Sequence, residues 1–283
     1  MAETTARVRE TTVQGVPERL RLTCREAWDI LRGEASRALA REPLLGNFLR
    51  GAVLDHDGLG AALAGMLAQK LADAAVDVAA LSTLAGEAMA ADGTILAAAC
   101  ADLIAIYERD PAADDLITPF LYFKGYHALQ WHRVAHWLWR RGRRDMAHYL
   151  QSRVSEAFAV DIHPAVPVGK GVFIDHGTAV VVGETAVIGD DVSILQGVTL
   201  GGTGKETGDR HPKVRDGVLL AAGAKVLGNI EIGRNAKVGA GSVVLKDVPP
   251  CATVVGVPAR IVGWCADETP ALSMDQSIAA DVR

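Results

Sequence analysis

An aliphatic residue returns at every sixth position from Val168 to Val244, and this period constrains the fold more than any other feature of the chain. A period of six fits neither an α-helix nor a long two-sided strand. It predicts short strands joined by tight corners that stack into a parallel β-helix. Hairpin strands in a sandwich would instead place turns about every 8 to 12 residues without a fixed phase. The repeated positions are Val168, Ile174 and Val180, then after a two-residue shift Val182, Ile188, Ile194 and Leu200, and then Val214, Leu220, Val226, Ile232, Val238 and Val244.

A polar segment from Gly201 to Lys213 interrupts the repeat and is rich in Gly, Lys, Asp, Arg and His. Because a solenoid tolerates insertions where they can loop outward from a corner, this segment predicts an extruded, mobile arm.

The first half of the chain has helical periodicity, beginning with Trp28, Leu31 and Ala35 and ending its first helix at Glu42-Pro43. The predicted fold class is therefore α+β, with an all-helical domain followed by a parallel β-helix that carries an extruded loop. The expected divisions are a disordered extension over 1–18, a helical oligomerisation domain over 19–159, a β-helix over 160–263 and a flexible tail over 264–283.

Composition narrows the functional classes. A net charge of −5 argues against a nucleic-acid partner, and no run approaches the roughly 18 apolar residues of a membrane span. The cysteines at 24, 100, 251 and 265 form no C-x-x-C pair, so the sequence predicts neither a zinc site nor a disulfide framework and favours a reducing, cytoplasmic setting. The basic run Arg140–Arg144 is interpreted as complementing a helix dipole.

Candidate chemistry centres on histidines beside charged residues in the repeat region, namely His163, His176 and His211. In the pair Asp175-His176 one side chain should face solvent, because neighbouring side chains alternate along a strand. With Asp161 available to orient an imidazole, a general-base role is reasonable. Three histidines on a β-helix can also bind zinc, but the spacing here does not match such a ligand set, so no metal is expected.

With these residues identified, the chain from about Thr23 to Gly263 resembles the serine acetyltransferase family. The segments that carry the resemblance are 118–130, 160–164, 183–188, 200–205 and 209–213. The resemblance implies a left-handed β-helix, trimers that pair into hexamers, and acetyl-CoA lying between subunits. It also implies transfer of an acetyl group to L-serine, giving O-acetylserine for cysteine biosynthesis.

The resemblance implies roles residue by residue. His176 matches the general base that takes the proton of the serine hydroxyl, and Asp161 matches the acid that orients its imidazole. Asp110 and Asp175 match positions for the serine ammonium, while Arg210 and His211 match positions for the carboxylate and hydroxyl. The expected main-chain contacts to CoA are at Gly202, Ala222 and Ala240. No acyl-enzyme is expected.

The same resemblance implies inhibition by L-cysteine at the serine site. It also raises O-acetylserine sulfhydrylase as a partner, but family members often end in an isoleucine that inserts into that enzyme. A terminal Arg283 would bring charge into an apolar site, so weak or no binding is expected. Three alternatives remain: an acetyltransferase for a sugar, antibiotic or homoserine, a zinc hydratase, and a regulatory scaffold with weak catalysis.

Overall fold

The computed structural model describes residues 22–204, 206–265 and 269–277. The predicted disordered extension over residues 1–18 and the expectation about Arg283 lie outside the described residues.

The helical half begins at α1, whose start is fixed by a capping box between Thr23 and Glu26. The predicted stop at Glu42-Pro43 is confirmed, since α1 ends at Arg41. A 3₁₀ turn over Pro43–Leu45 and a π-helical turn over Arg50–Leu54 flank α2. The helices are α1 (Cys24–Arg41), α2 (Gly46–Leu49), α3 (Leu59–Leu71), α4 (Val78–Ala91), α5 (Gly93–Arg109), α6 (Ile117–Tyr122), α7 (Lys124–Arg140) and α8 (Arg144–Phe158).

The strands that follow wind into a left-handed parallel β-helix with three faces, which confirms the predicted fold class. They are β1 (Val160–Ile162), β2 (Phe173–Ile174), β3 (Val180–Val182), β4 (Val187–Ile188), β5 (Ser193–Ile194), β6 (Thr199–Gly201), β7 (Lys213–Val214), β8 (Leu219–Leu220), β9 (Lys225–Leu227), β10 (Glu231–Ile232), β11 (Lys237–Val238), β12 (Val243–Val244), β13 (Ala252–Gly256) and β14 (Ala259–Trp264). The first face has the order β1-β3-β6-β9-β12, the second β10-β7-β4, and the third β14-β13-β11-β8-β5-β2.

The six-residue period places one aliphatic side chain per strand inside the coil. Positions such as Ile194, Leu200 and Val226 are fully buried, and the parallel pairing keeps equivalent positions in register, for example Leu200 with Val226. Since each coil repeats the environment of the one below it, the same residue type recurs at the same place.

Three corners connect the faces, and they position the site. The first corner leads from the third face to the first, through residues 175–179, 195–198, 221–224 and 239–242. The second corner leads from the first face to the second, through 163–167, 183–186, the arm at 202–212, and 228–230. The third corner leads from the second face to the third, through 169–172, 189–192, 215–218 and 233–236.

The helical half is joined rigidly to the first coil. Arg133 on α7 forms a buried salt bridge with Asp102 on α5 (2.7 Å) and donates to the carbonyl oxygens of Val168 and Gly169 (3.1 and 2.7 Å). Asp102 also accepts from the N–H of Val172 (2.9 Å). Because a buried charge must be paired and hydrogen-bonded to be tolerated, this network holds α5 and α7 in a fixed relation to the β-helix.

Gly125 lets the start of α7 pack closely against the β-helix. A Cβ at this position would lie 2.1 Å from the carbonyl oxygen of Ile174, at the end of β2. Only glycine lets the two backbones approach this closely. The contact positions the start of α7 beside the residues that follow Ile174.

The end of the β-helix corrects one prediction. Strands β13 and β14 are antiparallel, and they bring Cys251 and Cys265 together in a disulfide with a Cα–Cα distance of 5.0 Å. The prediction that the cysteines form no disulfide is therefore wrong for this pair. The two residues are 14 positions apart, and cysteine spacing alone could not reveal that this strand pair aligns them.

Part of the predicted flexible tail packs against the third corner. A short helix, α9 (Pro270–Ser273), places the carbonyl oxygen of Ala271 where it accepts from the Ser193 hydroxyl (2.8 Å). Residues 266–268 and 278–283 lie outside the described residues.

Within the described ranges, no single helix is long and apolar enough to cross a membrane. Taken together, α4 and α5 have the necessary length and composition, but the two helices are bent by 102° relative to each other.

Candidate active site

One group of candidate residues lies at the first corner. Asp110 follows the last residue of α5, and Asp175 and His176 follow β2. The His176 side chain is 76% exposed and that of Asp175 is 22% exposed, so one member of the pair faces solvent as predicted, although both residues lie at a corner and not in a strand. The backbone of His176 has φ of 55°, in the left-handed region that few non-glycine residues adopt. This conformation turns the imidazole outward at the corner.

Carboxylates give this corner a local negative charge. Burial raises the pKa of Asp175, and the nearby Asp110 charge raises it further, while His176 lowers it. The imidazole of His176 lies beside Asp175, with Nε2 3.9 Å from Oδ1. Among the described residues, neither aspartate forms a salt bridge with a lysine or arginine. Two carboxylates arranged in this way suit an ammonium group.

A second group lies at the second corner, around the base of the arm. Arg210 donates to the Glu184 carboxylate (2.8 Å) and to the carbonyl oxygen of Gly208 (3.0 Å). The hydroxyl oxygen of Thr185 accepts from the backbone N–H groups of Arg210 and His211 (3.0 and 3.1 Å). These bonds anchor the end of the arm, so the side chains of Arg210 and His211 have defined positions although the tip of the arm is exposed.

The protonation of His211 follows from its contacts. Its Nδ1 accepts the backbone N–H of Thr185 (3.2 Å), so in a neutral ring the proton is on Nε2. Burial lowers the pKa of His211, and the charges of Arg210 and Lys213 lower it further. His211 is therefore a neutral imidazole that can donate through Nε2.

Gly183 makes room for this ring. A Cβ at position 183 would lie 2.0 Å from His211 Nε2 and 2.1 Å from its Cδ2. His211 is only 7% exposed and is held by Thr185, so it could not move aside without losing those contacts.

Asp161 lies on the first face, between the two corners. It is the middle residue of β1, with Val160 and Ile162 buried on either side, and its carboxylate accepts from Gln151 on α8 (2.7 Å). Its charge acts on His163 at the second corner. Across the described residues, no hydrogen bond or salt bridge connects Asp161 to His176, or one corner group to the other. The proposed pairing of Asp161 with His176 stays a prediction.

The candidate CoA residues also divide between the corners. Ala222 and Ala240 stack at the first corner, where the N–H of Gly241 donates to the carbonyl of Ala222 (2.8 Å). They continue a column of hydrogen-bonded turns that begins at Thr178, two residues after His176. Gly202 is at the second corner, where a Cβ added to it would lie 3.5 Å from the carbonyl oxygen of Arg210.

The sequence analysis assigned no role to three residues: Glu184 and Thr185, which bind Arg210 and His211, and Gly183, which makes room for the His211 ring. These residues begin the segment 183–188, whose similarity to the family could have indicated that they matter. Only the stacking of coils shows that this segment lies beneath the arm.

Comparison with known proteins identifies the family of the chain. A family model described as the N-terminal region of serine acetyltransferase matches residues 27–131, and a bacterial transferase hexapeptide model matches residues 211–246. Serine acetyltransferase of Salmonella typhimurium is 56% identical over 250 residues, covering 88% of this chain and 91% of the relative. The Escherichia coli K12 enzyme is 53% identical, with coverages of 90% and 94%.

The chain belongs to the serine acetyltransferase family. Solved structures of the family superimpose closely. A serine acetyltransferase in complex with cysteine has a TM-score of 0.89 at 50% identity, covering 90% of this chain and all of the other. The Neisseria gonorrhoeae enzyme in complex with serine has a TM-score of 0.81 at 54% identity, covering 83% of this chain and 96% of the other. The Brucella abortus S19 enzyme in complex with coenzyme A has a TM-score of 0.83 at 50% identity, covering 85% of this chain and 96% of the other.

These findings confirm the predicted family and its acyltransferase class. As for a metal, the described part of the chain contains no group of three or more His, Cys, Asp or Glu side chains placed to hold an ion.

Proposed function

We propose that this chain transfers the acetyl group of acetyl-CoA to the hydroxyl of L-serine. The observation that carries the proposal is the pair of corner groups. One has two carboxylates beside an exposed imidazole, and the other has a guanidinium beside a neutral imidazole donor. Serine has an ammonium, a hydroxyl and a carboxylate, which these groups complement in charge.

In the proposed reaction, Asp110 and Asp175 hold the ammonium and Arg210 holds the carboxylate. His176 accepts the proton of the serine hydroxyl as its oxygen attacks the thioester carbonyl carbon. The tetrahedral intermediate then loses the CoA thiolate as the carbon–sulfur bond breaks, and the protonated His176 returns the proton to that sulfur. The Nε2–H of His211 donates a hydrogen bond to the bound substrate. No acyl-enzyme forms.

The site is proposed to need two copies of the chain. The two groups lie at different corners of one β-helix, and Val181 between them on the first face is 41% exposed. We infer that the first corner of one chain faces the first face and second corner of its neighbour, so that Asp161 of one copy orients His176 of another. A closed ring of three copies repeats this contact, and paired rings form a hexamer.

We further propose that L-cysteine competes with serine, because its ammonium and carboxylate match the same groups. The thiol replaces the reacting hydroxyl. The proposed location is the cytoplasm, where acetyl-CoA and free serine are available. This inference rests on the substrates rather than on the cysteines.

The test is CoA release from acetyl-CoA with L-serine, L-homoserine, glucosamine or no acceptor. We expect release with L-serine that exceeds release with the other acceptors by about a hundredfold or more, since buried groups left unpaired by a wrong substrate are costly. L-cysteine should raise the KM for serine without changing kcat. Faster release with another acceptor would contradict the proposed substrate, and cysteine inhibition that serine cannot relieve would contradict the shared site.

The position of His211 predicts the effect of Gly183→Ala. We expect kcat/KM for serine to fall by about tenfold or more, because the added methyl displaces the ring and misplacement by about 1 Å can cost a hundredfold. Gly263→Ala is the matched control, since a Cβ there meets nothing within 4 Å. The measurement is steady-state kinetics with the melting temperature of both variants. A wild-type rate for Gly183→Ala would show that His211 has no part in the reaction.

A further inference from the structure

A cleft of about 400 Å³ separates the helical half from the first coil at the third corner. Its walls are the start of α5, the end of α7 and the chain around Gly169 and Lys170. None of the residues assigned above to serine, acetyl-CoA or the acid–base step lines it. The volume lies within the range of about 300 to 1,000 Å³ that is usual for small-molecule sites.

Three cations line this cleft, namely Arg140, Arg141 and Lys170. The Asp92 carboxylate, which also lines it, interacts electrostatically with Arg140 and Arg141 without forming a close salt bridge to either among the described residues. The Arg141 guanidinium lies over the Trp137 ring, 4.3 Å from its centroid. The interpretation of Arg140–Arg144 as a simple dipole complement is therefore incomplete, because two of its members face a cavity.

The other charged groups of the cleft have hydrogen-bonded partners. Asp92 accepts from the backbone N–H and hydroxyl of Thr94 (3.1 and 2.5 Å), and Asp190 accepts from the N–H of Lys170 (2.9 Å). Arg133 is paired with Asp102. Burial lowers the pKa of His132 to about 3 and also lowers that of His136, so both imidazoles are neutral at pH 7. Three positive charges thus face two carboxylates.

A donor and a helix end add to the preference for an anion. Trp137 lines the cleft, is 8% exposed, and its indole N–H has no hydrogen-bond partner among the described residues. A buried donor without a partner is unfavourable, and a bound anion would supply the missing acceptor. The N-terminus of α5 borders the same space, and because Asp92 already caps its Thr94 N–H, this helix end adds only what remains of its partial positive charge.

We propose that this cleft binds a small dianion, a phosphate group or a dicarboxylate, between Arg140, Arg141 and Lys170. The bound anion would bridge the ends of two helices whose opposite ends reach the first corner. There α5 is followed by Asp110, and Lys124 at the start of α7 donates to Thr178. The cleft and the proposed serine site are thus connected by two rigid elements.

The test is calorimetric titration of the full chain with inorganic phosphate and, separately, with malonate, at constant ionic strength. CoA is left out, because its phosphate groups belong to the class of ligand proposed for this cleft, and the variants below separate binding in the cleft from binding at the proposed cofactor site. We expect millimolar affinity for at least one probe. The double variant Arg140→Gln, Lys170→Gln should bind about tenfold or more weakly, the scale of losing charge-assisted hydrogen bonds. Arg215→Gln is the control, since Arg215 is an exposed arginine that pairs with Glu231.

Each outcome decides the proposal. Tighter binding of phosphate indicates a phosphoryl ligand, and tighter binding of malonate indicates a dicarboxylate. Either result supports the site if the double variant no longer binds that anion with the wild-type affinity. Equal affinity in wild type and double variant, or no heat from either probe up to about 50 mM in the wild type, would overturn it. Should the double variant fail to fold, Arg141→Gln, a change on an exposed side chain, gives the same comparison.

Discussion

Replacing His176 with asparagine lowers kcat for serine acetylation by about a hundredfold or more, the scale of losing a general base, and leaves the fold intact. The reason is that the amide cannot accept the hydroxyl proton, while the exposed position leaves no cavity. Asparagine also tolerates the left-handed backbone at this corner, where φ is 55°. The measurement is serine-dependent CoA release, together with the melting temperature.

A second substitution separates catalysis from backbone strain. His176→Ala removes the same base but places an alanine in the left-handed region, so it should lose as much activity and also lower the melting temperature. His56→Asn is the matched control, because His56 lies in the helical half and, among the described residues, its one hydrogen bond is to the carbonyl of Gly51. If His176→Asn retained a wild-type rate, the base would have to be another group, with His211 the next candidate.

Co-expressing two inactive variants restores about one quarter to one third of the wild-type activity if each site is shared between neighbouring copies in a ring. The variants are His176→Asn, which damages the first corner, and Arg210→Gln, which damages the second. One site in four combines an intact first corner with an intact second corner in an unselected random mixture, and one site in three does so in a mixed ring of three. Activity of the mixed oligomers, purified through a different tag on each variant, is the measurement.

Arg210→Gln alone should reduce kcat/KM for serine by about a hundredfold, because the carboxylate of serine loses the charged guanidinium that is proposed to bind it. Glu184 and the carbonyl of Gly208 hold the guanidinium, so Arg210 is fixed before substrate binds. Each variant co-expressed with itself is the control and should stay inactive. Verified mixed oligomers without recovered activity would place the complete site within one chain and overturn the proposed shared site.

Much of the fold follows from the sequence because its determinants are local. The period of six predicts which side chains enter the coil, and Ile194, Leu200 and Val226 are indeed buried. The stop at Glu42-Pro43 needs only the steric restriction that proline places on its neighbour. The sequence also indicated that one member of the pair Asp175-His176 faces solvent, although the outward imidazole of His176 comes from a left-handed turn residue at a corner and not from alternation along a strand.

Other features depend on contacts between residues far apart in the chain. His211 meets Thr185 because the arm returns above the coil that contains residue 185, 26 positions earlier. Gly183 is needed only because that return places the ring over its backbone. The Cys251–Cys265 disulfide depends on the register of the last two strands, which the cysteine spacing does not encode.

The sequence by itself therefore determined the repeating coil, the helical half, the family and the candidate residues. Only the tertiary structure decided how those residues are grouped: Asp110 with Asp175 and His176 at one corner, and Arg210 with His211 at another. The physical reason is that the six-residue period alone decides which side chains point into the coil. Which residues from different coils become neighbours depends on how many residues each coil and the arm contain.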